Sequence, residues 1–428
     1  MESNLELSEG KYVPKSNRFI NYEFILFGIG SLLAWNAILT ELTFFEQFIP
    51  KLNPMRTISF LNFAPNIILQ FILLYKKNLF KIQIQLIFGL ISSIVLLIII
   101  PISVILLKDN ETLNMSITII LILIMGLINA LCTSGFFAFA SFFPLEMIIS
   151  LSTGQGIAGI LLNIIMYILL PTVKYNDAYK EEIIKTIIFF SISAFILVIC
   201  LLCLIFSLKL EYFKYYLNTK INEVNEVGPI TDNNENDENE ELTESTNYNI
   251  KVNEQMSFKG MFKILIDINL LCVFIYIVTF ALYPIAFKRQ KMFNFEFNYY
   301  FNTVLTIYNA FDTIGRYLVS KIEPTKKITY ISVLSRGILL ITIVLNYYFQ
   351  LKDCNIIFTS IFLIINDVLL ALTNGMGTTL CFGIAPTLVS EDLKGQAGAS
   401  VSFFTIVGIF IGSVISAFLT EAILDLFK

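Results

Sequence analysis

The nine-residue stretch Tyr308-Asn-Ala-Phe-Asp-Thr-Ile-Gly-Arg316 sets three hydrogen-bonding groups at helical spacing inside a membrane-length segment. Asn309, Asp312 and Arg316 stand three and four positions apart, which places them on one face of a helix. Asp312 precedes Arg316 by four, so the two can pair within the helix. An ionisable residue at the centre of a bilayer costs about 2.5 to 3.5 kcal/mol on insertion scales, and pairing lowers that cost. Two roles fit the spacing: mutual neutralisation at a helix interface, or a polar stripe that meets a solute. Asn309 adds a third hydrogen-bonding group to the second role. Further polar residues fall within apolar runs at Asn36, Glu41, Asn163, Asp267, Arg336, Asp367 and Asn374. For Arg336 and Asp367 the sequence offers no partner.

Several chemistries are excluded by composition. The chain has no histidine, which removes HExxH metal sites, Ser-His-Asp triads and imidazole proton relays. No P-loop is present, so direct ATP drive is not expected. Neither is a metal or other cofactor. The close cysteine pair, Cys200 and Cys203, sits in an Ile/Leu run without the electropositive, accessible setting that thiolate chemistry needs, and reads as packing. Gly154-Gln155-Gly156-Ile157-Ala158-Gly159 matches G-x-G-x-x-G by letter but lacks the preceding strand and following acid of a dinucleotide site. Its small residues read as a close helix contact, as do Gly408 and Gly412. The formal net charge of -4 gives no reason to expect nucleic acid as a partner.

Hydrophobic residues make up 56% of the 428 and charged residues 14%, more apolar surface than a water-soluble domain can bury. The expected fold is an all-α membrane protein with about eleven transmembrane helices embedded in a lipid bilayer. Apolar runs place six spans near 22–45, 57–75, 82–107, 117–141, 147–171 and 183–208, and five more near 262–287, 297–320, 328–349, 356–380 and 398–426. Residues 1–21 form an N-terminal cytosolic segment with no cleavable signal. The two bundles, 22–208 and 262–428, are separated by 209–261, whose centre at 221–250 carries nine acids and no Lys or Arg. That composition cannot bury a core and is expected to be a disordered cytosolic linker. Sequons at Asn110 and Asn114 are expected in an exoplasmic loop, giving a cytosolic N-terminus and an exoplasmic C-terminus. The plasma membrane is the expected location.

Several stretches together resemble the equilibrative nucleoside transporter family. Gly28-Ile-Gly30-Ser-Leu-Leu-Ala-Trp35-Asn36 is similar to its glycine-rich first-span segment, with Ala34 where Pro is usual. Ser152-Thr-Gly-Gln155-Gly-Ile-Ala-Gly159 is similar to its fifth-span run, and Asn309 to Arg316 is the most specific match. Thr373-Asn374-Gly375, Cys381-Phe382-Gly383 and Gln396-Ala397-Gly398-Ala399 resemble its tenth span and the start of its eleventh. The 6+5 layout is also that family's.

The resemblance implies a major-facilitator-like pair of bundles rocking about a central site, and facilitated movement of purine nucleosides or nucleobases by alternating access. It implies that Leu32, Trp35 and Leu39 line the pocket, with Trp35 stacking on the base. Asp312 and Arg316 would bind ribose hydroxyls or base edges beside Asn309. Gly154, Gln155, Gly159 and Asn36 would act in helix packing. One departure is Thr133, which stands where members often carry a glutamine for the purine edge; a hydroxyl cannot repeat a bidentate amide contact. The alternative is a transporter of the same fold class for another polar solute, a sugar or amino acid, with possible proton coupling. Shortening residues 221–250 is expected to leave solute uptake intact provided the halves stay joined; loss of uptake at normal surface expression would contradict the tether reading.

Overall fold

A computed structural model describes residues 5–8, 11–14, 18–76, 79–217, 257–282, 293, 297–322, 324–352 and 354–426. A short antiparallel hairpin, β1 (Leu5–Ser8) and β2 (Lys11–Pro14), precedes the helices. The first bundle comprises α1 (Arg18–Thr40), the short α2 (Leu42–Phe48), α3 (Pro54–Tyr75), α4 (Ile82–Leu106), α5 (Glu111–Ala140), α6 (Leu145–Thr172) and α7 (Ala178–Ser207). The second comprises α8 (Phe258–Leu282), α9 (Phe297–Leu318), α10 (Lys326–Leu334), α11 (Gly337–Leu351), α12 (Ile356–Ile384) and α13 (Lys394–Leu426).

Ten of the described helical segments are long and apolar enough to cross a membrane. The eleventh expected span is α9, whose 22 residues can cross but carry Asn302, Asn309, Asp312 and Arg316 among Tyr and Thr. Its polar stripe faces the protein, so a hydropathy criterion passes over it. Large apolar side chains such as Phe88, Ile91, Val95, Ile98 and Ile102 of α4 are exposed. In a soluble protein such a surface would drive aggregation; on a bundle it is the face that meets lipid.

Two expected spans are interrupted. The first ends at Thr40, and Glu41 opens the short α2. The ninth is broken at Ser335 and Arg336, where the guanidinium turns inward and Gly337 begins α11. Pro65, inside α3, has no N–H to donate to the carbonyl of Leu61. Within 209–261, residues 211–217 are helical, and Phe213 packs between Phe24, Phe139 and Phe143. The expected disorder of the linker centre concerns residues outside those described. Asn114 corrects the loop assignment made from its sequon: it lies inside α5, fully buried, donating to the Val104 carbonyl at 2.9 Å. Asn110 stays exposed as the cap of α5, accepting from Leu113 N at 3.1 Å.

Glycines set the closest helix approaches. A methyl group on Gly28 of α1 would stand 2.0 Å from the Leu151 carbonyl oxygen of α6, and one on Gly154 would stand 2.0 Å from that of Ile25. Gly408 and Gly412 bring α13 onto α8 in the same way. Cys200 and Cys203 are free thiols, with Cys200 buried against Gly30. Replacing Gly28 by Ala is expected to cost on the order of 2 kcal/mol or more, because the obstacle is backbone. Gly337→Ala, with open space around it, serves as the control. A melting temperature lowered equally by both changes would contradict this account of the α1–α6 contact.

Candidate functional site

Between the bundles lies a cavity of about 160 Å³. Its walls come from α1, α3, α5 and α6 on one side and α8, α9, α12 and α13 on the other. Four close contacts bring the key helix of the second bundle, α9, into position. Gly156 and Gly159 of α6 face Thr313 and Asn309, so α9 lies along α6. Gly315 faces the Leu372 carbonyl of α12, and Gly375 faces the Asp312 carbonyl of α9. A larger residue at Gly315 or Gly375 would meet main chain, and one at Gly156 or Gly159 would meet Thr313 or the Asn309 side chain.

That packing places Asp312 and Arg316 among partners on three helices. Arg316 Nε donates to Asp312 Oδ2 at 2.7 Å, and both residues are 4% exposed. Arg316 Nη1 crosses to the other bundle, donating to the Ser152 carbonyl at 3.1 Å, Ser152 Oγ at 2.9 Å and Gln155 Oε1 at 3.3 Å. Gln155 in turn donates to Ser31 Oγ of α1 at 3.1 Å. On the other side Asn374 Nδ2 donates to Asp312 Oδ1 at 2.7 Å, and Thr279 Oγ1 donates to Asn374 Oδ1 at 2.7 Å. Arg336 closes the chain by donating to Thr279 Oγ1 at 2.6 Å. A continuous line of hydrogen bonds thus runs from α1 through α6, α9, α12 and α8 to the break between α10 and α11.

Arg336, for which the sequence offers no partner, is fully buried and also donates to Thr373 Oγ1 at 2.7 Å and the Leu370 carbonyl at 3.1 Å. Its cation is solvated by carbonyl and hydroxyl oxygens rather than by an acid. Asp367 is the opposite case, buried with neither carboxylate oxygen hydrogen-bonded among the described residues. Glu41 accepts from Thr186 Oγ1 at 3.2 Å, and Asp267 accepts from Lys326 Nζ at 3.3 Å and Tyr330 OH at 3.2 Å.

Leu32, Trp35, Leu39, Thr133, Asn309, Asp312 and Arg316 all line the cavity. The Trp35 ring meets Phe63 edge to face, with centroids 5.0 Å apart, and Phe63 meets Phe280 of the second bundle at 6.2 Å. The cavity is therefore aromatic on the α1 side and charged on the α9 side. Of the residues read as packing, Gly154 lies against α1 and Gly159 against Asn309, while Gln155 and Asn36 reach the cavity wall. The Thr133 hydroxyl is engaged twice, donating to the Asn129 carbonyl at 2.7 Å and accepting from Gln70 Nε2 at 3.2 Å.

Sequence reasoning missed Tyr276 and Tyr308, which flank the ion pair, and the wall built from Asn62, Asn66 and Asn129. A signal for the second existed: Asn62, Asn66 and Gln70 recur every four residues along one face of an apolar helix. Uncharged amides drew less notice than charges.

The nucleoside transporter family model matches residues 118–421. A curated relative, "Equilibrative nucleotide transporter 7" of Arabidopsis thaliana, is 24% identical over 90% of this chain and 91% of its own. "Equilibrative nucleoside transporter 1" of Homo sapiens is 22% identical over 72% of this chain and 69% of its own. Among solved structures, the major facilitator superfamily proton:xylose symporter XylE superposes with a TM-score of 0.65 at 11% identity, covering 95% of this chain and 90% of its own. The human organic anion transporter MFSD10 superposes with a TM-score of 0.52 at 10% identity, over 96% of each chain. Two bundles in the major-facilitator arrangement, a polar cavity held between them and a family match across most of the length place this multi-pass membrane protein in the nucleoside transporter family.

Proposed function

We propose that the protein carries purine nucleosides or nucleobases down their gradient by alternating access, with the base against Trp35 and the polar groups of the solute at Asp312 and Arg316. The observation that supports this reading is the position of the ion pair on the wall of a cavity shared by both bundles. A pair serving only to neutralise charge needs no such exposure to empty space. The Asp312 carboxylate has lone pairs beyond those taken by Arg316 and Asn374, and ribose hydroxyls are donors that match them. The human relative is named a nucleoside transporter.

The same arginine couples binding to motion. Arg316 moves with α9, yet donates to Ser152 and Gln155 on α6. Separation of the bundles at this point exchanges those hydrogen bonds for solvent or solute, so a solute that engages Arg316 biases the rocking equilibrium. Differential contacts of this kind are what alternating access requires.

Uptake of labelled purine nucleosides into proteoliposomes, with and without a pH gradient, tests the reading: saturable uptake indifferent to the gradient is expected. Saturable uptake of sugars or amino acids in place of purines would overturn it. Asp312→Asn combined with Arg316→Gln removes both charges of the pair together and strands neither, so folding and surface delivery should persist. Transport should still fall at least tenfold, because amides do not reproduce charge-assisted hydrogen bonds worth about 1.5 to 3 kcal/mol. A double variant with near-normal kinetics would remove these residues from the site. Trp35→Ala is expected to raise the apparent KM roughly two- to tenfold, matching about 0.5 to 1.5 kcal/mol of ring contact. An unchanged KM would assign Trp35 to helix packing.

A further inference from the structure

The wall facing α3 and α5 is made of amides whose orientations are determined by one another. Thr133 spends its single hydroxyl proton on the Asn129 carbonyl, so toward Gln70 it can only accept. Gln70 must therefore present Nε2, and its second amide proton goes to Asn66 Oδ1 at 2.8 Å. With that oxygen turned to Gln70, the planar Asn66 amide presents Nδ2 on its other side. The neighbouring turn repeats the pattern. Asn129 Nδ2 donates to Asn62 Oδ1 at 2.8 Å, which turns the amino group of Asn62 and the carbonyl oxygen of Asn129 away from that contact. Among the described residues Asn62 Nδ2 is buried with no partner, although Asn62 lines the cavity and is 1% exposed.

A buried amide N–H without a partner costs about 1 to 3 kcal/mol, and the Asn62 amide, beside Asn66 and Asn129 on the same cavity wall, points to a ligand that completes it. The wall offers donors from Asn62 and Asn66 and an acceptor from Asn129. Two donors beside one acceptor complement a lactam edge, in which a carbonyl oxygen takes two N–H groups and the adjacent ring N–H donates. The amidine edge of a 6-aminopurine has the inverse pattern, two donors beside one acceptor, and would set N–H against N–H.

We propose that Asn62, Asn66 and Asn129 read the base edge and select bases carrying a lactam, such as 6-oxopurines, over 6-aminopurines, with Gln70 as the positioning residue that sets the Asn66 amide. The proposal rests on the reading of the cavity as a purine nucleoside site. It also supplies from α3 an amide function at the wall where Thr133 occupies the α5 position. Gln70 touches no solute and acts through the hydrogen bond to Asn66.

The test measures initial uptake of labelled inosine and adenosine, together with purine riboside, which has no group at the 6-position, by the full-length protein in proteoliposomes. The expected wild-type KM for inosine is at least about fivefold below that for adenosine, the low end of what one unsatisfied buried polar group costs. Gln70→Leu frees the Asn66 amide to rotate, and the inosine-to-adenosine KM ratio should move toward one. Gln70→Glu offers Asn66 an acceptor, turns its oxygen to the cavity and should shift the ratio toward adenosine. The ratio is insensitive to how much protein reaches the membrane, so partial misfolding does not imitate the result. Asn66→Leu should raise the KM for inosine at least about fivefold more than that for purine riboside. Equal wild-type KM values, a preference for adenosine, or a ratio unmoved by the Gln70 changes would overturn the proposal while leaving purine transport standing. Absence of uptake of all three nucleosides by the wild type would overturn the underlying reading, and the proposal with it.

Discussion

Every charge that this chain carries into the membrane interior has to be solvated by the protein itself, and the central architecture follows from how Asp312 and Arg316 meet that demand. The pair satisfies itself along one helix turn, with 2.7 Å between Arg316 Nε and Asp312 Oδ2. The remaining groups need partners from other helices, and glycines at 156, 159, 315 and 375 exist where those helices must come close. Close approach of α6 and α12 to α9 is thus the condition under which the charges can be buried at all. The cavity is what remains between helices that cannot close further around the pair.

The line of hydrogen bonds from Ser31 to Arg336 links both bundles through a small set of side chains. Spreading two cations and one carboxylate across amides and hydroxyls gives each of them hydrogen bonds to the protein in place of water. It also makes the two-bundle interface sensitive to what occupies it, because Arg316 belongs to one bundle and its acceptors Ser152 and Gln155 to the other. Aromatic contacts such as Phe137 stacked on Phe382, 3.5 Å between centroids, cross the same interface without charge.

Much of this was legible in the sequence because membrane burial leaves a strong record. Long apolar runs mark spans, and the spacing of Asn309, Asp312 and Arg316 marked a shared face that the structure puts on the cavity. What was hidden depends on relations between distant segments. Arg336 had no visible partner because its acceptors, Thr279, Thr373 and the Leu370 carbonyl, lie on two other helices, and carbonyls carry no sequence signature. The break at Ser335 and Arg336 follows from that inward turn and not from a proline. Asn114 carried a sequon yet is buried in α5, since the tripeptide says nothing of whether its helix has already begun. The amide wall of α3 and α5 depends on which proton Thr133 gives to which oxygen, a matter of geometry alone.

The central claim is that the inter-bundle cavity holds a purine nucleoside with its polar groups on the α9 pair. An experimental density map of the protein with a purine nucleoside bound tests it most directly. The account predicts solute density inside the cavity, the base alongside Trp35 and a ribose oxygen within hydrogen-bonding distance of Asp312 or Arg316. Density for the nucleoside outside the cavity, or inside it with no polar atom near either residue, would contradict the account.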